Sequence, residues 1–338
     1  MLPAAPLSTL NPQLSTDAPP SRDQWAVVAC GATISIMIAL CAARVLDLIN
    51  GGNWTQGTNP ANFFAGHAGF QVFQNRFLTP AIAAVIQHAF GMTGADAIQT
   101  TCEIGLYLAS LSVYFGVRKR ASMPTAVGAV VAAMFLIVSL TTHNQGHLED
   151  MYDVAILAWF VYLMYYSCRW TAFLPVFAIQ MLNKESGLLI AVWIGLSAFR
   201  RGQNVNVRQL ATGIILFAIG VAFVHWSRSV FYHGSLNALA PTVGGQWWTF
   251  SVQPWNLAWM IPNRPAVILS ALALICTPLL LKRHIGDRFA PVMITNLLML
   301  AAICCFGWVG EQRVWIETIP FTVIPLAIYM HNQTMAAR

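Results

Sequence analysis

Charge is what this sequence has least of. Only 9% of its 338 residues are Asp, Glu, Lys or Arg, against about 25% in an ordinary soluble domain. With 57% hydrophobic residues and a mean hydropathy of +0.61, that scarcity excludes a typical water-soluble enzyme. Several uncharged runs approach the about 20 residues that a helix needs to cross the hydrocarbon of a bilayer. The short alternating segments of an outer-membrane barrel are missing, so the spans read as helices. There is no convincing internal repeat, which removes one signature of secondary transporters. Residues 1–24 lack a basic n-region and the following apolar run lacks an A-x-A site, which argues against a cleaved signal peptide. These residues, rich in Pro, Ser and Ala, read as a disordered cytoplasmic tail. None of the seven cysteines (30, 41, 102, 168, 276, 304 and 305) sits in metal-ligand spacing, so they read as small buried hydrophobes.

The hydropathy pattern predicts an all-α, polytopic transmembrane bundle of about ten spans: 25–46, 95–117, 123–141, 151–167, 171–182, 186–199, 209–225, 265–281, 290–307 and 318–331. Residues 80–91 are apolar but too short to cross and suit an interfacial helix. The single transmembrane domain is then 25–331, with outer loops at 47–94, 142–150 and 226–264, and a short tail at 332–338. With both termini cytoplasmic, the inner side collects Arg22, Arg118, Lys119, Arg120, Arg169, Arg200, Arg201, Arg208, Lys282, Arg283, Arg288 and Arg338. Only Asp17, Asp23 and Asp287 among the acids lie there. This sorting follows the positive-inside rule for an inner or plasma membrane. It also explains the net charge of +6 as a topology signal, with no nucleic-acid partner implied.

The remaining charges gather on the outer side. Arg44 and Asp47 stand one turn apart at the exit of the first span. Such a carboxylate, partly desolvated, is either an interfacial anchor or a base. Arg76 precedes a Pro-started apolar helix, an arrangement suited to phosphate. Glu149, Asp150 and Asp153 fall on one helical face near His143 and His147, as an acidic helix start or as ligands for a divalent metal, Mg or Mn. Lys184, in Asn183-Lys184-Glu185, breaks two helices each too short to span, which implies a cavity or thinned region at membrane depth. Glu311 and Arg313 lead into a span containing Pro320, with Arg313 and Glu317 at helical-pair spacing. The loop 226–264 adds Trp226, Trp247, Trp248, Trp255 and Trp259, suited to sugar faces, to lipid headgroups, or simply to an interfacial belt.

These features together resemble the GT-C superfamily of integral-membrane glycosyltransferases. The resemblance rests on Asp47 after the first span and on the first outer loop carrying Asn75-Arg76-Phe77-Leu78-Thr79-Pro80. It also rests on Asn183-Lys184-Glu185-Ser186-Gly187 between short helices, and on Glu311-Gln312-Arg313 ahead of Pro320. It implies a polyprenyl-phosphate-linked sugar as donor and a glycan, lipid or protein as acceptor. Asp47 would be the base, and Arg44, Arg76, Lys184, Glu311 and Arg313 would hold the donor. Glu149, Asp150 or Asp153 would orient acceptor or metal. Asp47 stands without the neighbouring acid many members carry, and no large soluble domain follows the last span. That keeps a non-catalytic subunit of a larger membrane complex as the alternative. A transporter is a further one, although Glu103 is the only acid well inside a span.

Overall fold

The computed structural model describes residues 22–49, 55–56, 76–141, 146–166, 169–199, 204–231, 290–306 and 312–337. The described residues form helices, apart from one two-residue parallel pairing. In chain order these are α1 (Arg22–Ile49), α2 (Leu78–Phe90), α3 (Gly94–Arg118), α4 (Met123–Thr141) and α5 (Leu148–Tyr165). A 3-10 turn, Trp170–Ala172, leads into α6 (Phe173–Asn183), α7 (Gly187–Leu196) and α8 (Val207–Phe231). Then come α9 (Ala290–Phe306), a 3-10 helix (Gln312–Thr318) and α10 (Ile319–Ala336). The expected span at 265–281 and most of the loop 226–264 lie outside the described residues.

Among the described residues three helices are long and apolar enough to cross a membrane: Arg22–Ile49, Met123–Thr141 and the Val207–Ser227 part of α8. They mark the chain as a membrane protein. Helix α3, with 25 residues, has the length, but Asp96, Glu103 and several Thr and Ser residues dilute its hydropathy. Helices α6 and α7, at 11 and 10 residues, are too short to cross alone, as the break at Lys184 predicts.

The packing follows from small residues placed at helical period. On α1 the buried positions are Gly31, Ser35, Ala39, Ala42, Ala43 and Leu46, spaced three or four apart and therefore one stripe. This stripe lets α1 lie close against α3, with Gly31 seated on the Tyr114 ring and Tyr114 Oη donating to the Val28 carbonyl at 3.3 Å. The same close approach joins α3 to α5, where a Cβ on Gly105 would sit 2.7 Å from Met151 Cβ. Without a strong hydrophobic drive between helices in lipid, close contact of this kind is the main source of association. At the centre, Phe160 makes edge contacts with Phe173, Trp193 and Phe321, tying α5, α6, α7 and α10 together.

The polarity of the bundle is fixed by what touches the two ends of α5. Its C-terminal end meets the basic turn after α3: Lys119 Nζ donates to Tyr162 Oη at 3.0 Å and lies 4.4 Å from the Tyr166 ring centre. Its N-terminal end meets Lys184 and Glu317. Eighteen residues at 1.5 Å each separate the two ends by about 27 Å. The basic turn and the Lys184 group therefore occupy opposite ends of the bundle.

Candidate functional site

Lys184 is the hub of the acid-rich end. Helix α6 stops because Lys184 adopts extended backbone, φ −163° and ψ 157°, before α7 starts at Gly187. Gly187 is required by proximity, since a Cβ there would lie 2.9 Å from the backbone nitrogen of Met181. The extended residue turns its ammonium inward. Nζ lies 2.6 Å from Glu317 Oε1, 3.0 Å from Asp153 Oδ2 and 3.4 Å from Asp150 Oδ1. All four side chains are buried. Carboxylates from two separate stretches of sequence thus converge on a cation from a third.

Asp153 is further held by amides. Gln180 Nε2 donates to its Oδ1 at 2.6 Å and to Ser186 Oγ at 2.7 Å, and Asn183 Nδ2 donates to the same Oδ1 at 2.7 Å. Burial disfavours the charged form of Lys184. Asp153, Glu317 and Asp150 outweigh that and hold its pKa well above the ordinary lysine value, with nearby Arg76 acting the other way. The ammonium is the persistent charge of the group.

Arg76 sits on the flank. Phe77 N–H donates to the Leu182 carbonyl at 2.7 Å, which docks the start of α2 on the end of α6. That places the buried Arg76 guanidinium 3.9 Å from Glu185. The local group therefore holds two cations, Lys184 and Arg76, and four carboxylates.

Asp47 belongs to a separate cluster at the end of α1. Arg44 Nη1 donates to its Oδ2 at 3.0 Å, and Gln99 Nε2 of α3 donates to its Oδ1 at 3.0 Å. The Asp47 side chain keeps 15% of its surface exposed, while Arg44 is 65% exposed. The helix that carries Gln99 starts at an N-cap: Thr93 Oγ1 accepts from Asp96 N–H at 3.2 Å and donates to the Asp96 carboxylate at 2.6 Å, which satisfies one of the free N–H groups of the first turn. Two distant segments also meet through main chain, where Thr55–Gln56 pairs in parallel with Gly146–His147.

The sequence-predicted residues thus divide. Asp150, Asp153 and Lys184 come together, and Arg76 joins them through Glu185. Arg44 and Asp47 pair with each other as their spacing predicted. Glu311 and the side chains of Glu149 and Arg313 lie outside the described residues, as do His143 and the His147 side chain. The expected Arg313–Glu317 pair lies outside the described residues with the Arg313 side chain; the segment Gln312–Thr318 is a 3-10 helix, and Glu317 faces Lys184. Among the described residues no three His, Cys, Asp or Glu side chains are placed to hold a metal ion; the carboxylates close on an ammonium instead. Sequence reasoning missed Glu317 as a site residue, and Gln180, Asn183 and Ser186 as the polar frame. The signal was present in Gln180, one helical turn before Lys184 in an α6 that is otherwise apolar up to its last residue, Asn183.

No family model, no curated protein and no solved structure matches this chain.

Proposed function

We propose that this chain is a GT-C-like glycosyltransferase of about ten spans, with both termini cytoplasmic. In this reading it moves a sugar from a polyprenyl-phosphate donor to an acceptor on the extracytoplasmic face of an inner or plasma membrane. The observation that carries the reading is Asp47: a partly exposed carboxylate near the end of α1, with both oxygens oriented by Arg44 and Gln99.

Its chemistry balances simply. The acceptor hydroxyl oxygen attacks the anomeric carbon, the bond from that carbon to the donor phosphate oxygen breaks, and polyprenyl phosphate leaves with the bonding electrons. Asp47 takes the hydroxyl proton. Developing charge on the leaving phosphate needs a guanidinium or ammonium nearby. Because Lys184 already faces three carboxylates, the reading assigns the phosphate to Arg44, Arg76 and Arg313. Lys184 becomes a positioning residue, which holds the broken α6–α7 hairpin against α5 and the 3-10 helix. Asp150 and Asp153 serve that clasp, and Glu311 and Glu149 remain candidates for acceptor or metal.

The test is Asp47→Asn, which keeps the shape and removes the base, expressed in a strain lacking the native copy. Loss of a surface glycan with accumulation of its lipid-linked sugar supports the reading. An unchanged glycan with Asp47→Asn and Arg76→Ala combined sinks it. The closed state of Lys184 favours a second reading, a non-catalytic subunit of a membrane complex. In that case the double variant keeps the glycan while Lys184→Met, which opens the clasp, depletes the complex.

A further inference from the structure

The opposite end of the bundle carries a cavity with different chemistry. It has a volume of about 350 Å³ and lies between the 3-10 turn after α5 and the α7–α8 hairpin. Its floor is fixed. Gln209 is buried and donates through Nε2 to Ser197 Oγ and, at 3.3 Å, to the Ile194 carbonyl. The wall is fixed by Asn206, whose Oδ1 accepts from the Gln209 N–H at 3.1 Å and whose N–H donates to the Ala198 carbonyl at 3.2 Å. Arg169, Trp170 and Asn204 complete the lining.

Three properties define what such a cavity binds. Among the described residues no carboxylate lines it, and the one charged lining group is the Arg169 guanidinium. Among the described residues Arg169 has no ion pair, and its side chain is exposed. Neutral Ser, Asn and Gln groups stand beside that guanidinium, with an indole at the edge. A guanidinium with amide and hydroxyl neighbours is matched to a phosphate ester carrying hydroxyl groups, and an indole suits the headgroup level of a bilayer. The cavity follows the Tyr165–Tyr166 end of α5, where Arg120 and Lys119 also lie.

We infer that this cavity is a phosphate-ester site, which receives the glycerol-phosphate headgroup of an anionic lipid from the leaflet facing the basic end of the bundle. The phosphate lies on Arg169, and the headgroup hydroxyls reach Ser197, Asn204 and Asn206. The inference does not depend on glycosyl transfer.

Native mass spectrometry of the purified full chain tests it, with phosphatidylglycerol and phosphatidylcholine as lipid probes and glycerol phosphate as the soluble probe. Saturable phosphatidylglycerol binding that falls about tenfold or more in Arg169→Gln, and is kept in Lys119→Ala, supports the headgroup source. Saturable glycerol phosphate binding with the same pattern, without lipid binding, retains the phosphate site and assigns it a soluble ester. Arg169→Gln binding every probe as the unaltered chain does, or Lys119→Ala losing as much as Arg169→Gln, overturns the site, because diffuse surface charge would then account for the binding. Asn204→Ala, an exposed position, supplies a second variant: a reduction there supports the cavity, and no change in either variant overturns it.

Discussion

The two ends of α5 handle cations in opposite ways. At its N-terminal end Lys184 is buried and faces three carboxylates at 2.6, 3.0 and 3.4 Å. At its C-terminal end Lys119 is exposed and faces rings, 5.1 Å from the Tyr162 centre and 4.4 Å from that of Tyr166. One arrangement is an internal clasp; the other is a set of cations available to the membrane surface. The difference teaches that charge in this protein has two separate jobs. Where it is desolvated it must be neutralised by partners, and where it stays wet it sets orientation at the interface.

The largest expected effect comes from breaking the clasp. Lys184→Met leaves three buried carboxylates without their cation and should destabilise the folded chain by about 3–5 kcal/mol, read as a fall in thermal stability in detergent. Glu317→Gln removes one of three partners and should cost clearly less. A loss equal to that of Lys184→Met would show that Glu317 alone holds the ammonium. The pH response follows from the raised pKa of Lys184. A group whose folded-state pKa is raised contributes stability that is fully present below its unfolded-state value and lost only as pH rises through the folded value. The lysine's contribution should therefore persist as pH rises from neutrality through the ordinary lysine range. Weakening over that alkaline range that Lys184→Met abolishes would contradict this.

A middle-sized effect is expected between the ends, where α7 and α8 touch. A Cβ on Gly213 would meet the backbone of Gly195, with the Ala191 carbonyl 3.0 Å away. Gly213→Leu should force the two helices apart and cost about 1–3 kcal/mol, measured by the same thermal assay. The change should leave the Lys184 clasp intact and widen the neighbouring phosphate-ester cavity. The smallest effect belongs to the basic end. Lys119→Ala removes an exposed cation–π contact of about 0.5–1 kcal/mol and should barely move stability. A drop approaching that of Lys184→Met would erase the contrast between the two ends.

Much of the fold was legible because membrane helices obey few rules. Length and hydropathy marked α1, α4 and α8; the break at Lys184 and the short α2 were visible as interruptions of apolar runs. The Arg44–Asp47 pair was legible because it is local, one helical turn. Glu317 was not, because its nearest sequence neighbour of opposite charge, Arg313, suggested a local pair. The partner that the fold gives it, Lys184, lies in a distant part of the chain, which spacing along the chain does not show. Gln180 and Asn183 carry no charge and read as ordinary polar residues until Asp153 is brought to them.

The sequence by itself determined the solvent of this protein. So few charges, placed between apolar runs, can only be accommodated by helices in a bilayer, since hydrocarbon leaves no backbone group without an internal partner. It also marked the polar residues that interrupt the apolar runs as a class apart. Only the tertiary structure decided which of them share a site. It set Asp47 with Gln99 and Lys184 with Glu317, pairings separated by 52 residues and by more than a hundred. The physical reason is that a buried charge selects partners by geometry and desolvation, and neither is written in spacing along the chain.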